Sequence, residues 1–83
     1  MTVALENGII VLTGDCPAGD AEELYQHLLA EPAAAIDWRR CDNAHGAVIQ
    51  VLLAAGREIS GPAGGEFLRS QVEPALTRAR SRI

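Results

Sequence analysis

Residues 35–55, AIDWRRCDNAHGAVIQVLLAA, decide how this chain reads. An apolar beginning over residues 33–38, ending in Asp37-Trp38, has the character of a short strand buried on both faces. The polar segment 39–45 then supplies residues that a packed core does not need, and it reads as a turn. Beyond it a helix is expected from Asn43 or Ala44. Its apolar residues Ala44, Ala47, Val48, Val51, Leu52 and Ala55 follow the i, i+3, i+4, i+7, i+8 spacing of one helical face. Gly56 is a natural stop. A polar junction between a strand's carboxyl end and a helix's amino end is the usual place for recognition in α/β folds.

Working outward toward the amino end, residues 2–6 and 8–13 read as strands, with Asn7-Gly8 between them. Asn-Gly between two strand-like runs predicts a tight hairpin, because both central residues must take positive φ. Residues 14–19 break the chain. Asp20 then reads as a helix cap with Glu23 closing a capping box. Ala21, Leu24 and Leu28 fall on one face, and Pro32 ends the helix. Toward the carboxyl end, about three residues around Ile59 are left for a strand before Gly61-Pro62. Residues 66–80 have helical period through Phe67, Leu68 and Val72, with Pro74 expected to kink or divide the helix. The order is β-β-α-β-α-β-α, an α/β fold with a small mixed sheet and helices packed on it, in one domain over residues 1–83.

Eighty-three residues, 48% of them apolar, favour a packed core over disorder. With one Trp, one Tyr and one Phe, that core must be aliphatic. The net charge of −4 conceals an asymmetry. Residues 1–37 carry seven acids and no Lys or Arg, while residues 38–83 carry all seven arginines against four acids, so the halves stand at −7 and +3. An acidic chain without a basic stripe argues against nucleic-acid binding. Arg78, Arg80 and Arg82 read as complements to a helix dipole. No apolar run reaches the ~20 residues of a membrane span and no export signal opens the chain, so a cytoplasmic protein without membrane insertion is expected. Cys16 and Cys41 are accordingly expected as reduced thiols.

The elements also resemble, in order and spacing, the STAS superfamily, the fold of bacterial anti-sigma-factor antagonists. The similarity spans about residues 8–76. It is carried by Ile9-Ile10-Val11-Leu12-Thr13-Gly14, the helix from Asp20 to Leu29, Ala35-Ile36-Asp37-Trp38, the helix Val48-Ile49-Gln50-Val51-Leu52-Leu53-Ala54-Ala55, and Ile59-Ser60-Gly61-Pro62. The resemblance implies a protein-binding module whose partner is a kinase-type anti-sigma factor or a similar regulator. In that family the turn before the second helix commonly carries Asp followed by a phosphorylated Ser or Thr. Here those positions are His45 and Gly46. Glycine has no oxygen to phosphorylate, so the resemblance implies a binding fold without that switch.

The candidate partner-binding residues are Arg39, Arg40, Asp42, Asn43, His45 and Gly46. Each has a plain alternative. Arg39-Arg40 also reads as a solvated turn, His45 as an ordinary helix-start residue, and Gly46 as a helix-start glycine rather than a point of close approach. Trp38 reads either as core or as an interface anchor. Cys16, Cys41, Asp42 and His45 lack the paired spacings of a zinc site, and a Cys41–His45 nucleophilic pair has no recognisable oxyanion site beside it. No catalytic residue, metal or cofactor is therefore expected. The reading is a non-catalytic protein-interaction module of bacterial signalling, of undetermined oligomeric state. Two alternatives stay open: a small structural subunit of a larger enzyme or transport complex, and a thiol or metal sensor built on Cys16 and Cys41.

Overall fold

A computed structural model describes residues 2–81, with side chains through Arg78. Strand β1 (Val3–Glu6) turns at Asn7-Gly8 into β2 (Ile9–Cys16). Helix α1 (Asp20–Ala30), β3 (Ala35–Ala44), α2 (Gly46–Ala55) and β4 (Ile59–Ser60) follow. A π-helical segment (Leu68–Val72) then runs directly into α3 (Glu73–Ser81). The sheet order is β1-β2-β3-β4, with β1 antiparallel to β2 and the other two pairings parallel. This is the expected α/β architecture with its mixed sheet. Asn7 and Gly8 both take positive φ (52° and 78°), the geometry that a two-residue hairpin demands.

All three helices lie on one face of the sheet. The buried strand residues Val3, Ile10, Leu12, Ile36 and Trp38 meet Leu24, Leu28, Val48, Leu52, Leu68 and Val72 in a single core. Fully burying one such aliphatic side chain contributes roughly 1.5–3 kcal/mol, so this one interface holds the sheet and helices together. Trp38 belongs to the core, with 1% of its surface exposed. The opposite sheet face carries Ile9 and Val11 with Glu6, Asp37 and the arginines of β3.

β3 corrects the sequence reading. It runs ten residues to Ala44, whereas a strand ending at Trp38 was expected, and most of the supposed turn is strand. Its eight-residue neighbour β2 pairs with it only because the register steps twice. Val11 faces Asp37, Thr13 faces Arg40, and Asp15 faces Asn43. Each step adds one residue to β3, as a β-bulge does. Inward residues therefore run Ile36, Trp38, Cys41, Ala44, and two pairs of polar residues, Arg39-Arg40 and Asp42-Asn43, are turned outward between them. Gly14 sits beside the second step with φ of 71°, which an L side chain would resist.

Two caps also differ from expectation. Asp20 is the first residue of α1 and makes no capping bond, Gly19 holding the cap position. Its carboxylate instead accepts a hydrogen bond from the Thr2 hydroxyl, tying the start of β1 to the start of α1. Helix α2 begins at Gly46, later than Asn43 or Ala44, with His45 as its cap.

The carboxyl-terminal helix passes Pro74 without dividing. Pro74 has no N–H to donate and its ring crowds the carbonyl four residues back. Widening the preceding turn relieves this, and the Glu73 N–H donates to Leu68 O, five residues back. Of the three arginines read as a dipole complement, Arg78 is exposed, while the Arg80 side chain and Arg82 lie outside the described residues.

Candidate functional site

β4 pairs with β3 only at Ile36 and Asp37, so the rest of that edge of β3 has no strand neighbour. Residues 61–65 cross it instead. The Gly65 N–H donates to Cys41 O at 3.0 Å. A Cβ on Gly64 would stand 2.9 Å from Arg39 O, and one on Gly65 would overlap the Asp42 carbonyl. Arg69 holds the crossing from the helical side by donating to Ala63 O (3.1 Å) and Gly64 O (2.6 Å), and Glu73 accepts from the Ala63 N–H (3.3 Å). Two glycines thus let a loop lie flat on a strand edge and close it, which keeps the edge from pairing with other chains.

The six candidate residues are all exposed, but they form two groups. Arg39 and Arg40 lie in the middle of β3 on the face away from the helices, where carboxylates hold both. Arg39 donates to Asp37 through Nε (3.0 Å) and Nη2 (2.7 Å), and its backbone N–H reaches the same carboxylate at 3.0 Å. These bonds, the side-chain one foremost, hold the Asp37 carboxyl down to about 2. Arg40 approaches Glu6 on β1 at 3.9 Å. Asp42, Asn43, His45 and Gly46 stand further along, at the carboxyl end of β3 and the start of α2.

In this second group the strand-to-helix transition takes a single residue. His45 is extended (φ −61°, ψ 151°) and its Nδ1 accepts the Ala47 N–H at 3.1 Å, doing the work of a Ser or Asp cap. Its own N–H donates to Cys16 O at 2.8 Å, tying the helix start to the end of β2. Asn43 turns its side chain back onto the Ala44 N–H at 2.9 Å. A Cβ on Gly46 would meet nothing within 4 Å, so none of the described residues requires a glycine there.

Beneath this rim Cys16, which faces Ala44, and Cys41, which faces Gly14, approach each other diagonally across the β2–β3 pairing. Both are free and fully buried, with Sγ atoms 3.9 Å apart. The Cys41 thiol donates to Asn43 O at 3.3 Å. Burial raises both thiols, and Cys41, with the Cys16 sulfur beside it, is pushed up to about 12. Among the described residues no three of His, Cys, Asp and Glu converge as a metal cluster, and none of the helices is long and apolar enough to cross a membrane.

Two features lay outside the sequence reading. Arg57 donates to three main-chain oxygens, Leu28 O (2.9 Å), Glu31 O (3.0 Å) and Ala34 O (2.7 Å), closing the end of α1 onto the start of β3. Beside it a cleft of about 170 Å³ runs between α1 and α2, lined chiefly by Tyr25, Leu28, Leu29, Val51 and Ala54. Tyr25 and Leu29 are exposed there. Their positions on the flank of the α1 apolar stripe were the available signal. No protein-family profile, no curated protein and no solved structure matches this chain.

Proposed function

We propose that this chain is a non-catalytic, STAS-like protein-interaction module of bacterial cytoplasmic signalling, docking through Asp42, Asn43, His45 and Gly46, with Arg39 and Arg40 extending the surface. The observation that supports it best is the bare first turn of α2. Gly46 opens the helix with free space where a side chain would be, beside polar residues that the core does not use. The partner is a regulatory protein of the kinase-type anti-sigma class, the kind the sequence resemblance implies. With no hydroxyl between residues 39 and 46, binding there is independent of hydroxyl phosphorylation in that segment.

The test is affinity capture with the native chain, identification of the bound protein, and titration of that protein against two variants. Gly46→Asp places a negative charge on the first turn of α2, and weaker binding is expected. Gly46→Ala adds bulk without charge and is expected to bind if charge decides. Unchanged affinity for Gly46→Asp, with the fold intact, places the interface elsewhere.

The apolar cleft between α1 and α2 favours a second reading, a small subunit of a larger enzyme or transport complex. Loss of co-purification in Leu29→Ser, with binding retained in Gly46→Asp, would select it.

A further inference from the structure

We infer that Cys16 and Cys41 form a peroxide-driven disulfide lock beneath the proposed docking rim, with the reduced dithiol as the docking form. The inference rests on the reading of that rim as the interface.

The pair differs from two incidental core cysteines in its placement. The sulfurs stand 3.9 Å apart across neighbouring parallel strands, and a disulfide needs about 2.05 Å. The closing movement falls where β3 is already irregular, at the second register step between Gly14 and Asp15. No third ligand accompanies them among the described residues, so a two-sulfur bond is the chemistry the pair supports.

Each cysteine is tied to the rim, Cys16 through its main chain and Cys41 through both main chain and sulfur. The Cys16 carbonyl accepts the His45 N–H that anchors the start of α2 (2.8 Å). The Cys41 thiol donates to Asn43 O (3.3 Å), a bond that disappears when the thiol loses its hydrogen. The Cys41 carbonyl also receives the Gly65 N–H that holds the crossing loop (3.0 Å). Drawing the sulfurs together therefore acts on Asn43 and His45 through short covalent and hydrogen-bonded paths.

The oxidant is a hydroperoxide, small enough to enter a locally opened strand end. One thiolate sulfur attacks the peroxide oxygen. The O–O bond breaks, leaving a sulfenic acid and a hydroxide that becomes water on protonation. The second sulfur attacks the sulfenic sulfur, the S–S bond forms, and the displaced hydroxyl leaves as a second water after taking up a proton. Two thiols lose two electrons and two protons, and hydrogen peroxide gains them. Complete burial of both sulfurs, with burial raising both thiols, makes the closed form slow to react. The lock therefore sets at the rate of local opening.

The experiment treats the full chain with hydrogen peroxide. It reads thiol content after denaturation, intact mass, and the amide resonances of Asn43, Ala44 and His45. The expected product is a monomer with no free thiol, a mass lower by two hydrogens, and displaced resonances at those three positions, all reversed by dithiothreitol. Cys16→Ala and Cys41→Ser should keep one thiol and gain oxygen instead of losing hydrogen. Should either fail to fold, the wild-type mass still decides. Retained thiols, or oxygen added to both sulfurs without a disulfide, overturns the lock. A disulfide that leaves the three amides unmoved overturns its coupling to the rim. For the captured partner we expect affinity about tenfold lower in the oxidised form, within the usual range of coupling between sites. A disulfide that moves the rim yet leaves affinity unchanged removes the rim as the interface and, with it, the regulatory role, while the redox chemistry stands.

Discussion

Gly65→Ala should be the most damaging glycine-to-alanine change in this chain, and its size follows from what the added carbon would meet. Nothing at residue 65 is conformationally special, for its φ lies outside the left-handed region. The obstacle is the Asp42 carbonyl of β3, onto which the new methyl would project. A flexible side chain could swing away, but Asp42, itself unpaired at the second register step, is fixed between Cys41 and Asn43, which both pair with β2. The loop must lift instead, and lifting breaks the Gly65 N–H bond to Cys41 O (3.0 Å) and strains the Arg69 bonds to Ala63 O and Gly64 O. Overpacking against an unyielding neighbour costs about 1–3 kcal/mol, and each lost hydrogen bond adds about 1 kcal/mol. A destabilisation of about 2–4 kcal/mol is expected, a large share of the roughly 5–15 kcal/mol that holds a small domain folded.

Urea denaturation followed through Trp38 fluorescence measures the change directly, and a fall in thermal midpoint of roughly 10–25 °C should accompany it in a domain of this size. The same substitution elsewhere supplies the scale. Gly46→Ala enters open space on the first turn of α2 and should be neutral or stabilising by up to about 1 kcal/mol. Gly14→Ala also meets nothing, but its φ of 71° should cost about 1–2 kcal/mol. A Gly65→Ala protein within about 0.5 kcal/mol of wild type, the range of an ordinary surface change, would refute the account of the crossing loop.

Arg57→Ala should cost about 1.5–3 kcal/mol, the range for hydrogen bonds to a charged group, because three main-chain oxygens lose a charged donor, Glu31 O keeping the Ala34 N–H. Arg57→Lys should recover only part of this in the same urea assay, since an ammonium cannot present the guanidinium fork. The Asp37 carboxyl should titrate near 2 by carbon NMR, and Arg39→Ala should return it toward its ordinary value of 3.8. Because its folded value is depressed, the stabilisation from this pair is present above about pH 4 and lost as pH falls toward 2. An Asp37 titration in the Arg39 variant identical to that of the wild type would show that the pair does not form in solution. Trp38→Phe should cost only the volume removed, since Nε1 has no hydrogen-bond partner to lose among the described residues. A penalty as large as the roughly 3–5 kcal/mol of a Trp→Ala truncation would mean that the indole nitrogen is bonded.

The hairpin and the first two helices were legible because local rules governed them. Asn7-Gly8 demands one turn geometry, and the spacing of apolar residues in α1 and α2 has one good solution. β3 was not legible past Trp38. Its inward residues Trp38, Cys41 and Ala44 recur every third position, which breaks the alternation that marks a strand and makes Arg39-Arg40 and Asp42-Asn43 resemble a turn. The register steps that produce this spacing depend on β2, a partner that no local window contains. Gly64-Gly65 was silent for the same reason, since a methyl at residue 65 is forbidden only by Asp42, far away in sequence. Pro74 fell between these cases. Its missing N–H announces a disturbance, but whether the chain kinks, divides or widens by one residue depends on the packing of Leu68 and Val72. Within the candidate site, exposure was legible and grouping was not. The six residues look contiguous in sequence, yet the bulges place the two arginines along the open sheet face and the remaining four at the rim.

The bulges also explain how a chain this small carries a polar strip beside its core. A regular strand would alternate Arg39, Cys41 and Asn43 on one face with Arg40, Asp42 and Ala44 on the other, burying charge beneath the helices. Adding one residue at each step turns both polar pairs outward and keeps Cys41 and Ala44 in the core. β4 pairs with the strand only at Ile36 and Asp37, and the edge beyond is closed by the flat Gly64-Gly65 crossing. The core holds the sheet and helices together, and the crossing with the Arg57 and Arg69 clasps closes its edges, none of which uses the side chains of Asp42, Asn43 or Gly46. Substitutions of Asp42 and Gly46 should therefore leave the fold nearly untouched, and changes in the crossing should destabilise the protein before they inform on binding. That separation lets the strip be tested as an interface, because affinity can be lost there while the unfolding midpoint stays where it was.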